Sequence, residues 1–257
     1  MQLRDKHIVL TGAGSGIGAA LARRFAAEKP RGLVLADLAS AKPALEAVAR
    51  ETGALAVPCD VSREADIQAL IATAKAKFGP VDVLYSNAGI SRKGHVEASN
   101  ADWEASWQVH VMSHVYACRA VLPDMLAQGD GYLVSTASAA GLLVSTESAP
   151  YTVTKHAAVA LAEHMAIQYG GRGIRVSVLC PQAVDTPMYR GSGSTAAGVD
   201  GIMSPDAVAD IVVQAMRDEK FLILSHPEVI EYVKRKAVDI DRWLGGMRRM
   251  LVKVRGT

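Results

Sequence analysis

The sequence predicts an α/β protein in which a doubly wound, seven-stranded parallel sheet is flanked by helices on both faces. Seven short runs rich in Val, Ile and Leu recur along the 257 residues, and longer segments with helical periodicity separate them. Several runs are apolar at nearly every position, the pattern of strands covered on both sides. Half of the residues are apolar but only 5% are aromatic, so the core between sheet and helices is built from Ala, Val, Leu and Ile.

The expected strands are His7–Thr11, Gly32–Asp37, Leu55–Cys59, Val81–Tyr85, Tyr132–Thr136, Ile174–Leu179 and Phe221–Leu224. One sheet accounts for all seven. With no repeat, low-complexity tract or linker, residues 1–257 read as one domain. Arg190–Gly201, dominated by Gly, Ser and Ala, follows a strand's carboxyl end and precedes a helix starting near Ser204. It is either a plain surface loop or, as its position favours, part of a mobile lid at 190–203 over a substrate. The last helical stretch carries Lys234, Arg235, Lys236, Arg242, Arg248 and Arg249, interrupted by Glu231, Asp239 and Asp241. It reads as a solvated face or a subunit contact rather than a membrane-binding surface.

A formal net charge of +2 points to no nucleic-acid partner. No apolar run reaches the roughly 18 residues of a membrane span, and Met1–Lys6 lacks the charged-then-apolar pattern of a secretory signal. A cytoplasmic location is expected. Cys59, Cys118 and Cys180 lie far apart in no metal-ligand spacing and read as buried thiols. His110 and His114 could share an ion from one helix face, but the Val-Met-Ser between them lacks the Glu of a zinc-protease helix. No metal is expected.

The first strand runs directly into Thr11-Gly12-Ala13-Gly14-Ser15-Gly16-Ile17-Gly18, and helical residues follow. Glycine lets the chain turn sharply and lets a helix N-terminus, with its exposed N–H groups and dipole, approach a pyrophosphate. Gly12, Ser15, Gly16, Ile17 and Gly18 are therefore the expected phosphate cradle of a Rossmann-type unit. Asp37 ends the second strand, where a carboxylate accepts hydrogen bonds from the adenosine ribose and repels the extra phosphate of NADP. Leu38 and Ser15 offer no cation to offset that repulsion, so NAD is the expected cofactor.

These residues resemble those of the short-chain dehydrogenase/reductases, in their single-domain branch, along nearly the whole sequence. The likeness rests on Thr11–Gly18, Asp60-Val61, Asn87-Ala88-Gly89, Ser138 ahead of Tyr151-x-x-x-Lys155, and Pro181 with Thr186-Pro187-Met188. It implies that Asp60 and Val61 contact the adenine, that Asn87, Ala88 and Gly89 support the cofactor pocket, and that Pro181 and Thr186 border the nicotinamide. It further implies a homotetramer or homodimer, assembled through the helices that include Trp103–Met125 and Tyr151–Tyr169.

Tyr151 and Lys155 lie four apart on a predicted helix, so their side chains share a face. A phenol titrates near 10, too high for a base at neutral pH, but an ammonium and an oxidised nicotinamide nearby both favour phenolate. Tyr151 is thus the expected acid/base for an alcohol or ketone substrate, and Ser138 the group that orients its oxygen. The resemblance further implies that Lys155 holds the nicotinamide ribose. Two positions depart from the family pattern. His110 stands where a relay Asn is usual; either the imidazole takes over its catalytic relay role or it is a tolerated buried polar group. Gln182 replaces the usual Gly after Pro181.

Leu142, Leu143, Val144, Ala183, Met188 and Tyr189 are the candidate substrate walls, which suits a hydrophobic secondary alcohol without a charged group. The sequence thus predicts an NAD-dependent oxidoreductase. Its rivals are a catalytically silent NAD-binding regulatory protein of the same fold and a lyase or epimerase that uses tightly bound NAD.

Overall fold

The computed structural model describes residues 1–192 and 196–255. Strands β1 (His7–Thr11), β2 (Gly32–Asp37), β3 (Leu55–Pro58), β4 (Val83–Ser86), β5 (Gly131–Thr136), β6 (Ile174–Cys180) and β7 (Leu222–Leu224) form one sheet in the order β3-β2-β1-β4-β5-β6-β7. Every pairing is parallel. All seven expected strands are present, β1 and β2 with the expected bounds and the other five with ends displaced by one or two residues. β3 stops at Pro58, although the Cys59 N–H still donates to the carbonyl of Asp37 at 2.8 Å. β4 starts at Val83 because Asp82 turns its carboxylate to the backbone N–H of His7 at 2.6 Å.

Side chains leave the strands alternately to the two faces, so Ile8 and Leu10 enter one core and Val9 the other. The first core is closed by α1 (Gly16–Ala27), α2 (Lys42–Thr52) and α8 (Pro205–Arg217), which supply Leu21, Phe25, Leu45, Val208 and Val212. The second is closed by α3 (Glu64–Phe78), α5 (Ser113–Gln128) and α6 (Ala149–Tyr169) through Ile67, Leu70, Val121, Met125 and Met165. Burying these apolar side chains on both faces is the main stabilising term, about 1.5–3 kcal/mol for each large one. α4 (Asn100–Trp107) runs into α5 through a wider, π-helical turn at Gln108–Met112.

Two further helices, α9 (Glu228–Val238) and α10 (Ile240–Arg255), follow β7. The backbone is extended at Asp239, whose carboxylate accepts from the N–H of Arg242 at 2.9 Å and so starts a new helix. Here the sequence reading needs correction. α10 is not simply a solvated face: Trp243, Met247 and Met250, spaced along one stripe, turn inward over a cavity. No helix among the described residues is long and apolar enough to cross a membrane.

Candidate active site

The strand order reverses between β1 and β4, and a parallel sheet opens a crevice at the carboxyl ends of its strands at such a point. A cavity of about 1130 Å³ occupies it. Gly12, Ser15, Gly16, Ile17, Gly18, Asp37, Asp60, Val61, Asn87, Ala88, Gly89, Ser138, Tyr151, Lys155, Pro181 and Thr186 all border this space. Of the expected catalytic and cofactor-binding residues, His110 alone does not.

Close backbone packing explains the glycines. Gly12 adopts φ 66°, and a Cβ there would come within 2.7 Å of the Ala88 Cα. A Cβ on Gly18 would run into the carbonyl oxygen of Gly12. Asn87 stitches these segments together, its Nδ2 donating to the carbonyls of Thr11 and Gly12 at 3.2 Å each and its Oδ1 accepting from Thr136 Oγ1 at 3.0 Å. Asp37 Oδ2 accepts from the Gly14 N–H at 2.8 Å, and its Oδ1 from the Leu38 N–H at 2.8 Å. The carboxylate thus anchors the turn while it faces the cavity. A cradle that side chains would fill, at a helix N-terminus beside a carboxylate with spare lone pairs, fits a dinucleotide.

The reacting end is built on β5 and α6. Ser148 caps α6, its Oγ accepting from the Tyr151 N–H at 3.0 Å and donating to the carbonyl of Arg92 at 2.5 Å. Tyr151 is therefore fixed in the first turn. Lys155, one turn on, is 3% exposed; its Nζ donates to the carbonyl of Thr136 at 2.9 Å and lies 5.6 Å from the centre of the Tyr151 ring. Ser138 follows β5, with its Oγ accepting from the Ala140 N–H at 3.1 Å. The same Oγ lies 3.5 Å from the carbonyl oxygen of Pro181 and close enough to the Tyr151 phenol to influence its titration.

Burial pushes the Tyr151 phenol above its ordinary value, and the bond from Ser138 pulls it partly back. Burial pushes the Lys155 ammonium down to about 8, so near neutrality it keeps most of its charge. The sequence reading expected a lowered phenol; in the protein alone desolvation outweighs the pull from Ser138.

His110 lies behind Tyr151, edge-on to its ring at 5.4 Å between centres. Its Nε2 accepts from the backbone N–H of Ile90 at 3.1 Å, and its Nδ1 meets Thr154 Oγ1 at 2.8 Å. The wide turn at Gln108–Met112 carries His110.

Among the candidate walls, Leu143, Val144, Met188 and Tyr189 border the cavity, whereas Leu142 and Ala183 do not. α7 (Pro187–Ser192) leads into the expected lid at 190–203, of which Ala197 and Val199 border the cavity and residues 193–195 lie outside the described residues. Sequence reasoning missed how this side is held. Gln182 Nε2 donates to Asp200 Oδ2 at 2.9 Å, and the Tyr232 hydroxyl of α9 donates to Asp200 Oδ1 at 2.7 Å. Lys236 Nζ donates to the carbonyls of Leu142 at 2.9 Å and Leu143 at 3.3 Å, and sits 5.2 Å from the centre of the Trp243 ring. The inward stripe of α10 was the one available signal, and its surrounding cations masked it.

The short chain dehydrogenase family profile matches residues 6–197. Over 240 residues the chain is 36% identical to 1-deoxy-11-beta-hydroxypentalenate dehydrogenase of Streptomyces exfoliatus, covering 89% of this chain and 86% of that protein. It is 38% identical over 195 residues to meso-2,3-butanediol dehydrogenase of Serratia marcescens, covering 74% and 76%. The crystal structure of a short chain dehydrogenase/reductase from Burkholderia phymatum in complex with NAD superposes with a TM-score of 0.83 at 31% identity, covering 94% of this chain and 96% of that one. With the glycine cradle and the Ser138, Tyr151 and Lys155 cluster around one crevice, these matches establish that the chain belongs to the short-chain dehydrogenase family.

Proposed function

We propose that the protein interconverts a hydrophobic secondary alcohol and its ketone, with Tyr151 as general acid and base. The chain is an NAD-dependent oxidoreductase acting on CH–OH donors. The finer reading is carried by one observation: Ser138, Tyr151 and Lys155 share a cavity with the glycine turn and Asp37.

When bound, the cofactor supplies the carbon that takes or gives hydride and, when oxidised, a positive charge. In oxidation the Tyr151 phenolate takes the hydroxyl proton as hydride leaves the carbinol carbon. In reduction the phenol returns that proton to the carbonyl oxygen. Ser138 Oγ donates to the same oxygen and holds it against Tyr151. Lys155 has two N–H groups left after Thr136, enough to hold a ribose hydroxyl. Asp37 accepts from the other ribose and disfavours a 2′-phosphate, which selects NAD over NADP.

Leu143, Val144, Met188, Trp243, Met247 and Met250 make the far wall apolar and support a hydrophobic substrate. Exposed Trp107, Val153 and Ile167 on α4 and α6 support assembly as a dimer or tetramer through those helices. A panel of secondary alcohols and ketones, followed at the NADH absorbance with NAD and NADP in parallel, tests the activity. Binding of NADH without turnover of any member would favour a catalytically silent protein instead.

A further inference from the structure

We propose that His110 is a positioning residue that clamps the cofactor-side loop Asn87–Ile90 to the turn of α6 that carries Tyr151, and that it does so as a neutral imidazole with its proton on Nδ1. The inference rests on the assignment of Tyr151 as acid/base and goes beyond it.

The hydrogen bonds fix the tautomer. Ile90 contributes a backbone N–H, so the Nε2 it meets must be bare. A neutral ring then carries its proton on Nδ1 and donates to Thr154 Oγ1. Thr154 can accept because its own proton goes to the carbonyl of Pro150 at 2.7 Å. The bonds run in one direction, from Ile90 N–H to His110, from His110 to Thr154, and from Thr154 to Pro150. Protonating Nε2 would set two donors face to face.

The surroundings oppose that proton as well. His110 is fully buried, and the cation of Lys155 faces it from α6, while Tyr151 and Thr154 face it from the same helix and His114 from its own. Burial first, then Lys155, then His114 hold the imidazole well below its usual range. A Cβ placed on Gly89 would be 3.7 Å from both His110 Nε2 and Lys155 Nζ, so the two groups converge on the loop from opposite helices. With both nitrogens engaged, neither is available to pass a proton to or from water.

What remains is geometry. One nitrogen holds the loop that supports the cofactor, the other holds Thr154, and the imidazole packs at right angles to the Tyr151 ring. The clamp thereby sets the spacing between the cofactor floor and the acid/base. Catalysis is sensitive to displacements of about 1 Å in such spacing.

Two measurements test this. In wild-type protein with ¹⁵N-labelled histidine, His110 should show a protonated Nδ1 and a bare Nε2, with no titration between about pH 5.5 and 9. A proton on Nε2, or a titration in that range, would overturn the proposal, and this readout needs no turnover. In kinetics, Thr154→Val and His110→Ala should each lower kcat about tenfold or more, with KM for the alcohol within about twofold and the midpoint of the pH profile unmoved. The double variant should be no worse than His110→Ala, because both cut the same link. His110→Gln, whose Oε1 can still accept from Ile90, should recover part of the loss. A shifted pH midpoint would instead make His110 a proton relay, and unchanged kcat in folded Thr154→Val would show that the link positions nothing. Should His110→Ala fail to fold, Thr154→Val and His110→Gln still decide the point. A wild-type protein inert toward every alcohol and ketone would fail the proposed function while leaving the tautomer test standing.

Discussion

The backbone of Lys155 lies so close to Gly141 that a Cβ on Gly141 would come within 2.5 Å of the Lys155 carbonyl oxygen and 2.8 Å of its carbonyl carbon. Gly141 ends the short turn that follows Ser138, so this contact sets how closely the Ser138 turn docks on α6. Both neighbouring atoms are helix backbone and cannot swing aside. Gly141→Ala should destabilise the fold by about 1–3 kcal/mol and lower kcat by separating Ser138 from Tyr151. Thermal unfolding with steady-state kinetics measures both, and an unchanged kcat would show that the docking distance is not critical.

Removing the phenol proton carrier should stop the chemistry while sparing the cradle. Tyr151→Phe is expected to lower kcat/KM by about 10³-fold, with NADH affinity, read by fluorescence, close to wild type. Substantial residual turnover would assign the proton to another group.

The pH dependence follows from which form each direction needs. Oxidation uses the phenolate, so its rate should rise with pH through the Tyr151 midpoint; reduction uses the phenol and should fall across the same interval. Lys155, pushed down to about 8 by burial, supports the phenolate only while charged. Lys155→Met should therefore move the oxidation midpoint upward, by about one unit. Profiles for oxidation and reduction that moved in the same direction would contradict the assignment.

At the other end of the crevice, Asp37→Ala should weaken NAD about 10- to 100-fold, the scale of lost charge-assisted hydrogen bonds, and shrink the preference over NADP. Part of the loss will come from the turn itself, because Asp37 also holds the Gly14 N–H. Asp37→Asn, which keeps an acceptor oxygen but drops the charge, separates the two contributions. Equal use of NAD and NADP by the wild type would overturn the assignment.

Trp243→Ala should cost about tenfold in kcat/KM for a bulky cyclic secondary alcohol and little for 2-butanol. Lys236→Met, which removes the donor to Leu142 and Leu143, should act in the same direction more weakly. Equal losses on both substrates would mean that α10 does not read the alcohol.

The parts of this molecule legible in the sequence are those set by local pattern. All seven strands showed as apolar runs because both faces of the sheet are covered, and the glycine turn showed because its backbone conformation admits little else. Tyr151, Lys155 and Ser138 were found by spacing and resemblance. The fate of α10 was not legible: Trp243 and Met247 sit among arginines, and only the break at Asp239 folds their stripe onto the crevice. The bonds of His110 were equally hidden, since Ile90 and Thr154 lie 20 and 44 residues away. Nor did spacing reveal that burial would raise Tyr151, because desolvation depends on everything packed around it.

α9 and α10 touch the alcohol side of the crevice and enter none of the seven strands. These two helices thus cover the crevice from outside the sheet that carries the reacting residues. On the proposed function, changes within residues 228–255 should refit the cover to a differently shaped alcohol while the sheet and its glycine turn beneath stay as they were.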